Sequence, residues 1–484
     1  MATELFLVLL SGSFLLTLLT FLSFRSAGGR KTGKPNYNLP PGDLGGWPLI
    51  GDTIPFMQPH SSGSLGDFLD RRVAAHGQIF RMNFLGKKTV VSSDPEFNRF
   101  VLQGEGRLFE CSYPTSIAEI MGRWSMLAIN GDIHREMRSI AVGFMSGVKL
   151  RSFFLADVEQ QAVDILGGWR DGGSFSAQEE AKKFAFNLMV KHLMSMEAGR
   201  PDTEQLRKEY ITFMKGMASM PVNLPGTHYR KALQSRSTIL KIMGKKLDER
   251  VKSIQEGMQG LEEDDLLASV AKNTSLTREQ ILDLILSMLF AGHETSSAAI
   301  SLAIFFLQAS PPAFQQLKEE HSKIARRKMD MGEIKLNWDD YKQMEFTHCV
   351  INETLRLGNV VKFLHRKTIR DVQYKGYDIP CGWEVIPILS AAHLDPSIYD
   401  DPQQFNPWRW QGIVNSISMM NKNIMCFSGG PRLCPGAELA KLEMAVFLHY
   451  LIRSYTWELA EHDYPVSFPF LGFPKGLPIK IFSI

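Results

Sequence analysis

Cysteine is scarce in this chain, and neither sign of charge predominates. The five cysteines, at positions 111, 349, 381, 426 and 434, form no CxxC pair and cannot all pair with one another. This usage argues against a metal centre built from several cysteines and fits a reducing compartment. The 54 basic and 51 acidic side chains leave a formal net charge of +3, with neither a basic tail nor a block of like charge. Nucleic acid is therefore not expected as a partner.

Internal repeats, Gly/Ser linkers and a flavin- or nicotinamide-binding fingerprint are also absent from the sequence. The chain has 484 residues, more than one domain usually has, but nothing in it marks a division into separate units. Because 44% of its residues are hydrophobic, it can bury a large core. We therefore expect one large body that would draw any electrons from a separate protein.

The N-terminus carries a long uncharged run. Leu5–Phe24 provides about 20 residues, enough to cross a hydrocarbon core of ~30 Å. Basic residues follow this run, whereas a cleaved signal peptide would have a basic start and a shorter apolar region, so a retained anchor is favoured. The positive-inside rule then places the body in the cytoplasm. We predict an anchor over 1–24, a basic and proline-rich hinge over 25–51 and the main domain over 52–484.

Hydrophobic periodicity in the rest of the chain predicts a mainly α-helical body with small β-sheets. Leu-Gly-Lys between 78–84 and 88–92, and Lys-Gly between 371–374 and 377–380, predict two β-hairpins. The stretch Gln255–Thr277 contains two glycines and an acidic run, and it is predicted to be a surface loop.

One long helix is predicted over Glu279–Gln308, and it is apolar nearly all round. The polar segment Ala291–Ser297 at its centre favours a path through a soluble core over a membrane span. Gly292 weakens the helix, and the hydroxyl of Thr295 can turn back towards the carbonyl of Ala291. The result is either a groove with an acid and an alcohol beside it or a simple kink whose polar groups satisfy one another.

The segment Phe427–Gly436, with the sequence F-S-G-G-P-R-L-C-P-G, prepares Cys434 to hold a metal cofactor. Gly429 and Gly430 let the backbone turn sharply and lie close to a flat ligand. Arg432 can supply a fixed cation for an acidic group at the ligand edge. A strong helix former follows, and its positive end favours a thiolate. Taken alone, a lone cysteine before a helix is more often a small buried hydrophobe.

Two weaker patterns place charged and aromatic groups on helical faces. Glu353 and Arg356 are three residues apart, close enough for an ion pair, but the same spacing recurs elsewhere in the chain. Trp124, His134 and Arg138 are also arranged at helical spacing, which on sequence alone favours an ordinary amphipathic helix.

The cysteine segment matches the pattern FxxGxRxCxG at every fixed position and resembles the haem-binding loop of the cytochrome P450 family, the haem-thiolate monooxygenases. An A-G-x-[DE]-T motif at Ala291–Thr295, an E-x-x-R motif at Glu353–Arg356 and the segment Phe405–Arg409 precede it in the family's order. The resemblance implies the mainly α cytochrome P450 fold, preceded by one transmembrane helix. It also implies that Cys434 binds the iron of haem b.

The same resemblance implies roles for further residues. Thr295 and Glu294 would deliver protons to bound O2, and Arg409 would lock Glu353 and Arg356 into a buried triad that supports the haem loop. The residues expected to contact the haem, most of them at its propionates, are Phe427, Trp124, His134, Arg138, Arg366 and Arg432.

The resemblance further implies a partner and a location. Electrons from NADPH would arrive through NADPH-cytochrome P450 reductase, docked on the cysteine side. The anchor and hinge would hold the enzyme on the membrane lipid of the endoplasmic reticulum, as a single-pass protein with a cytoplasmic catalytic domain.

Longer segments narrow the resemblance to the plant steroid carbon-22 hydroxylases of brassinosteroid biosynthesis. These segments are Arg107–Pro114, Asn223–Gly226, Ile334–Tyr341 and Leu357–Arg366. The family hydroxylates the side chain of campesterol-type sterols, which implies the same activity here. A departure is Cys426, which replaces the proline that the family has before the loop phenylalanine.

The predicted substrate pocket is apolar and is lined by Ala291, Val360, Val361, Phe363 and Leu364. A different sterol or a terpenoid would also suit a pocket of this kind. A haem-thiolate isomerase or dehydratase is disfavoured by the intact motif that ends at Thr295. A sterol-binding protein without turnover would have no use for a complete haem loop.

Overall fold

The computed structural model describes residues 37–47, 50–256, 265–273, 275–412, 424–467 and 470–484. The predicted anchor over 1–24 and the hinge as far as residue 36 lie outside the described residues. α-Helices form most of the described body together with small β-sheets, so the prediction of a mainly α body with small sheets is confirmed.

The helices carry labels in chain order. They are α1 Thr53–Phe56, α2 Asp67–His76, α3 Pro95–Gln103, α4 Thr115–Met121, α5 Gly131–Phe144, α6 Gly147–Lys149, α7 Leu155–Gly167, α8 Ala177–Met194, α9 Pro201–Met217, α10 His228–Gln255, α11 Leu266–Asn273, α12 Arg278–Gln308, α13 Pro311–Asp330, α14 Trp338–Lys342, α15 Glu345–Gly358, α16 Leu389–His393 and α17 Ala437–Ser454. A π-helical turn at Leu150–Phe154 joins α6 to α7, and 3₁₀ turns occur at Pro407–Trp410 and Gly430–Arg432.

Within the part of the chain that the structure describes, the strands belong to four small sheets. They are β1 His60–Ser61, β2 Ile79–Phe84, β3 Lys87–Ser92, β4 Phe109–Cys111, β5 Ser174–Ser176, β6 Arg366–Thr368, β7 Val372–Tyr374, β8 Tyr377–Ile379, β9 Glu384–Pro387, β10 Tyr455–Leu459, β11 Val466–Ser467, β12 Leu471–Gly472 and β13 Pro478–Ser483. The largest sheet has the order β2-β3-β9-β6-β4, in which only β3 and β9 run parallel.

Both predicted hairpins are confirmed, with boundaries one residue or so from the predicted ones. β2 and β3 turn through Leu85 and Gly86, whose φ angles are 51° and 75°. β7 and β8 turn through Lys375 and Gly376, at 45° and 83°. Two successive residues with positive φ match the right-handed twist of the paired strands, which explains the glycine in each turn.

The described part of the predicted hinge lies against the body. The backbone N–H of Arg81 in β2 donates to the carbonyl of Pro41 at 2.8 Å, and the Arg81 side chain reaches the carbonyl of Gly42 at 2.9 Å. The backbone N–H of Asn38 donates to Asp378 of β8 at 2.8 Å. Residues 37–47 and 50–51 therefore extend the sheet region of the main body.

The predicted loop over 255–277 is corrected in part, since α11 occupies residues 266–273. Asp265 caps this helix by accepting from the Ala268 N–H at 2.6 Å, and Arg250 of α10 pairs with the same carboxylate at 2.8 Å. Leu266 and Leu267 are fully buried. Tertiary burial thus makes a helix from a segment whose acidic run and glycines indicated a loop.

Helix α12 runs through the main hydrophobic core and begins one residue before its predicted start. Thr277 and Gln280 form a reciprocal capping box at this start. Gly292 lies so close to α8 that an added Cβ would sit 2.4 Å from the sulfur of Met189. The glycine therefore serves the close packing of α8 on α12, and the α-helix continues through it.

Within the described residues, α12 and the stretch Gly131–Gly167 are long and apolar enough to span a membrane. The most apolar window of α12 is 67% buried inside the protein, which is typical of a core helix. The other stretch consists of several successive helices.

Candidate active site

The cysteine loop is a tight structure between Met425 and α17. The Cys434 N–H donates to the carbonyl of Phe427 at 3.0 Å, and the 3₁₀ turn at Gly430–Arg432 lies between them. Gly430 has a φ of 64°, and a Cβ there would lie 2.1 Å from the carbonyl oxygen of Leu102 in α3. The sharp turn predicted at this glycine is therefore confirmed, and contact with α3 requires it as well; its closeness to a flat ligand stays a prediction.

The thiol of Cys434 borders open space, yet the surrounding protein still desolvates it. Burial raises the pKa of the thiol, whereas the Gly436 backbone N–H and the Arg138 guanidinium act in the opposite direction without overcoming it. The positive helix end predicted to favour a thiolate is thus not sufficient alone. A metal ion bound to the sulfur would supply the remaining stabilisation of the thiolate.

Four predicted cofactor contacts form one cationic cluster beside the cysteine. His134 and Arg138 lie on α5, Arg366 lies on β6, and Arg432 lies in the cysteine loop. Burial, together with the positive charges of the three arginines, lowers the pKa of His134 to about 4. His134 is therefore neutral near pH 7 and can offer a ring N–H.

A carboxylate that the sequence did not reveal holds two of these arginines. Glu105 lies in the turn after α3; its Oε1 accepts from Arg432 Nε at 2.6 Å, and its Oε2 is 2.7 Å from Arg366 Nε. The Glu105 side chain is 7% exposed. No local signal marks this residue, because its partners are 261 and 327 positions away along the chain (366 − 105 and 432 − 105).

The segment 124–130 connects the cysteine loop with α12. Arg432 donates to the carbonyls of Met126 at 3.2 Å and Ile129 at 2.7 Å. The Trp124 N–H donates to Asp283 of α12 at 3.1 Å. The indole Nε1 of Trp124 is buried and makes no hydrogen bond within the described residues, although Glu279 lies near it.

These features fit a flat cofactor that has a metal centre and two carboxylates at its edge. Cys434 offers a soft metal ligand. The cluster has three guanidinium groups and one carboxylate, so it carries an excess positive charge of two. The indole N–H of Trp124 and the neutral His134 are further donors that could serve acidic groups. The chemistry of the donor set therefore suits haem and its propionates.

Ala291 and Thr295 lie on one exposed face of the otherwise buried helix α12. The predicted contact is present: the Thr295 hydroxyl donates to the Ala291 carbonyl at 2.6 Å. Glu294 is turned to another side, where its Oε1 is 2.8 Å from His293 Nδ1. Burial alone would raise the pKa of Glu294, but the adjacent His293 outweighs it and holds the pKa below its ordinary value.

The predicted pocket residues after α15 lie in different surroundings. Val361 is 36% exposed, and Val360 is half-buried beside the main core. The Phe363 ring packs edge-on against Phe56 at 5.2 Å. Leu364 is buried in a small cluster with Leu102, Leu389, Ala392 and Met425. Leu364 is therefore separated from the more open Val361.

The predicted supporting residues form a buried network. Arg356 pairs with both oxygens of Glu353 at 2.8 Å, and Arg409 Nε reaches Glu353 Oε1 at 3.1 Å. The indole of Trp410 also donates to Glu353 at 2.9 Å, a contact that the sequence did not predict. Arg356 further donates to the carbonyl of His393 at 2.6 Å, and His393 Nε2 accepts from the Met425 N–H at 2.8 Å. The network therefore reaches the start of the cysteine loop.

Comparison with known proteins agrees with this arrangement. A family model for cytochrome P450 matches residues 40–477. The cholesterol 22-hydroxylase CYP90B27 of Paris polyphylla is 70% identical over 482 residues, which cover 99% of this chain and 98% of that protein. A steroid (22S)-hydroxylase of Oryza sativa subsp. indica is 56% identical over 448 residues, covering 92% and 88% of the two chains.

Among solved structures, the retinoic acid-bound cyanobacterial CYP120A1 matches with a TM-score of 0.80 at 28% identity, covering 93% of this chain and 100% of that one. The family model covers most of the chain, and both plant relatives match along nearly all of it. The chain belongs to the cytochrome P450 family.

Proposed function

We propose that this protein is a haem-thiolate monooxygenase that hydroxylates carbon 22 of a sterol side chain. The structural support is that Cys434 lies beside the cationic cluster, and that the segment 124–130 bonds both to Arg432 of the cysteine loop and to α12, the helix whose exposed face carries Thr295. The plant relatives named above support the steroid substrate and the position of hydroxylation. One oxygen atom of O2 would enter the sterol as a hydroxyl group, and the other would leave as water, with two electrons taken from NADPH.

Cys434 would hold the iron of haem b, and Trp124, His134, Arg138, Arg366 and Arg432 would hold its propionates. Phe427 lies at the start of the same loop, and its carbonyl fixes the backbone of Cys434. When bound, the haem supplies the activation of O2 that lets an unactivated carbon be hydroxylated. The chain itself contributes binding, orientation and protons.

Thr295 and Glu294 have separate tasks in this proposal. The Thr295 hydroxyl donates to a helix carbonyl in the structure and still has oxygen lone pairs that can orient water on the exposed face. Glu294 stays ionised near pH 7 because of His293, so it can accept a proton from the solvent side. A proton relay through the two residues would suit the delivery of protons to bound oxygen.

A campesterol-type sterol is the proposed substrate, with Ala291, Val360, Val361 and Phe363 as pocket residues. Leu364 would support this wall from its own buried cluster. Apolar side chains of this kind would hold the sterol mainly by excluding water, so shape decides which carbon is placed for reaction.

NADPH-cytochrome P450 reductase is the proposed electron donor. We also place the protein in the endoplasmic reticulum membrane through residues 1–24, with the catalytic domain over 52–484 in the cytoplasm. The uncharged run and the basic residues after it support this location.

Two measurements on the purified protein test the proposal. The reduced protein with carbon monoxide should show the Soret band of a thiolate-ligated haem. Addition of reductase, NADPH and either campesterol or cholesterol should then yield the 22-hydroxysterol, identified by mass spectrometry. No thiolate band, or hydroxylation at another carbon only, would contradict the proposal.

Variants of two residues separate the cofactor site from proton delivery. Cys434→Ser should lose the thiolate band, whereas Cys381→Ser, at an exposed cysteine elsewhere, should keep it. Thr295→Ala should keep the haem but lower the product formed per NADPH by about tenfold or more. Thr212→Ala is the matched control, because the Thr212 hydroxyl also bonds the carbonyl four residues earlier, on the exposed surface of α9.

A further inference from the structure

Glu105 is the only carboxylate, among the described residues, that forms ion pairs with both Arg366 and Arg432. The two arginines are proposed cofactor contacts, yet each already has this internal partner. The carboxylate is nearly buried, with a side-chain exposure of 7%, and the side chains of Arg366 and Arg432 are 3% and 10% exposed. Charges this well shielded from water interact much more strongly than surface pairs do.

Three backbone elements hold Glu105 and its partners in position. A tight turn holds it after α3: the Gly106 N–H donates to the Phe109 carbonyl at 2.7 Å, and Glu105 and Phe109 form a parallel bridge. Arg366 lies in β6, where it is paired with Cys111 of β4. The third element is the cysteine loop itself. A single carboxylate thus connects a helix-to-strand turn, a sheet and the loop that carries the metal ligand.

We propose that Glu105 is a positioning residue for the haem edge, which orients Arg366 and Arg432 and sets the local charge. This inference rests on the proposed haem site. Each arginine directs its Nε at Glu105. Arg432 also donates to the carbonyls of Met126 and Ile129 and to Asn130, which leaves one of its five N–H groups for a further acceptor, whereas Arg366 uses one more N–H for the His365 carbonyl. The carboxylate also reduces the charge of the three-arginine cluster from three to two, which matches two propionates.

The charge of Glu105 and its role in orienting the two arginines can be separated by two variants. Glu105→Gln keeps the side-chain size but removes a negative charge from beside the cofactor. Because the reduced haem carries one positive charge fewer than the oxidised haem, loss of a nearby negative charge favours the reduced form. The midpoint potential should therefore become more positive. Glu105→Asp keeps the charge, but its side chain is one methylene shorter and is therefore too short to contact Arg366 and Arg432 at the same time.

The experiment uses the haem-loaded enzyme and begins with the carbon monoxide spectrum of the unaltered protein. Absence of a thiolate band at this stage would overturn the proposed function and leave Glu105 without a haem edge to position. With the band present, spectroelectrochemical titration gives the midpoint potential, and transfer of haem to excess apomyoglobin gives the rate of haem loss.

Glu105→Gln should shift the midpoint to more positive values. Glu105→Asp should leave the midpoint near that of the unaltered enzyme but release haem several times faster. Glu110→Gln is the matched control, because Glu110 pairs with Lys367 at 2.9 Å on the neighbouring strands and is partly exposed. It should change neither quantity.

An unshifted midpoint in Glu105→Gln, together with an unchanged rate of haem loss in Glu105→Asp, would overturn the inference. If Glu105→Gln does not accumulate as a folded protein, the haem-loss rate of Glu105→Asp decides alone. A rate equal to that of Glu110→Gln would then contradict the positioning role.

Discussion

The pKa of the Glu443 carboxyl is strongly changed by its surroundings. This residue lies on α17, is 1% exposed, and its oxygens make no hydrogen bond within the described residues, although Ser296 of α12 lies near them. Burial raises the pKa of this carboxyl to about 8. The folded protein therefore holds a proton here at pH 7 that the unfolded chain would release.

This carboxyl makes folding stability depend on pH in a defined direction. The ordinary pKa of a glutamate carboxyl is 4.5, and that of Glu443 in the folded protein is about 8. Between these two pH values the folded state binds more protons than the unfolded state, so the free energy of unfolding falls as the pH rises. In Glu443→Gln, the contribution of this position to stability should not change with pH over this window. The melting temperature of the variant should therefore exceed that of the unaltered protein by an amount that grows from pH 5 to pH 8. Glu438→Gln, on the exposed first turn of the same helix, should track the unaltered protein. A constant difference across the window would contradict the prediction.

Arg356, by contrast, is a residue whose chemistry allows no close substitute. Besides Glu353 and His393, its guanidinium donates to the carbonyl of Pro402 at 2.7 Å, and the residue is fully buried. Arg356→Lys keeps the charge but cannot make this fork of bonds. We expect a loss of about 3–5 kcal/mol in unfolding free energy, since buried charges would lose their partners. Urea unfolding checks this value, and Arg230→Lys at an exposed position of α10 should have little effect.

At the scale of elements, Gly292 permits the close contact of α12 with α8. Gly292→Ala would place a methyl group against Met189, which is 3% exposed and has little room to move. We expect destabilisation of about 1–3 kcal/mol by overpacking. Gly143→Ala, in the exposed part of α5 with nothing near its Cβ, should instead stabilise by about 0.5–1 kcal/mol. Thermal unfolding of both variants measures the contrast, and equal shifts would contradict it.

Local signals explain which elements could be predicted. The two hairpins and α12 follow from turn residues and apolar periodicity, which act within a few positions of each other. Helix α11 could not be predicted, because its support comes from Arg250 and from the burial of Leu266. The Glu105 contacts likewise join distant segments, and the sequence gives no sign of which arginine a carboxylate will meet. The cysteine loop was visible because its motif is continuous.

At the scale of the whole molecule, the described residues 37–47 and 50–51 stabilise the main body. Deletion of residues 1–24 should leave the melting temperature of the catalytic domain unchanged. Deletion of residues 1–51 should lower it by several degrees, because β2 and β8 lose the partners that Pro41, Gly42 and Asn38 provide. Differential scanning calorimetry of the two truncated proteins tests this. Equal melting temperatures would show that the segment contributes nothing to the body.

The parallel pairing of β3 with β9 has a consequence for the order in which the protein is made. Thr89 faces Glu384 in this pairing, a separation of 295 residues along the chain (384 − 89). At ordinary rates of translation, roughly 15–60 s pass between the synthesis of β3 and that of β9. During this interval the β2–β3 hairpin has an unpaired edge. The exposed Lys87 and Lys88 near its turn disfavour pairing of that edge with other chains. Arg432 is synthesised later still, so the proposed haem site can be completed only when nearly the whole chain has been made.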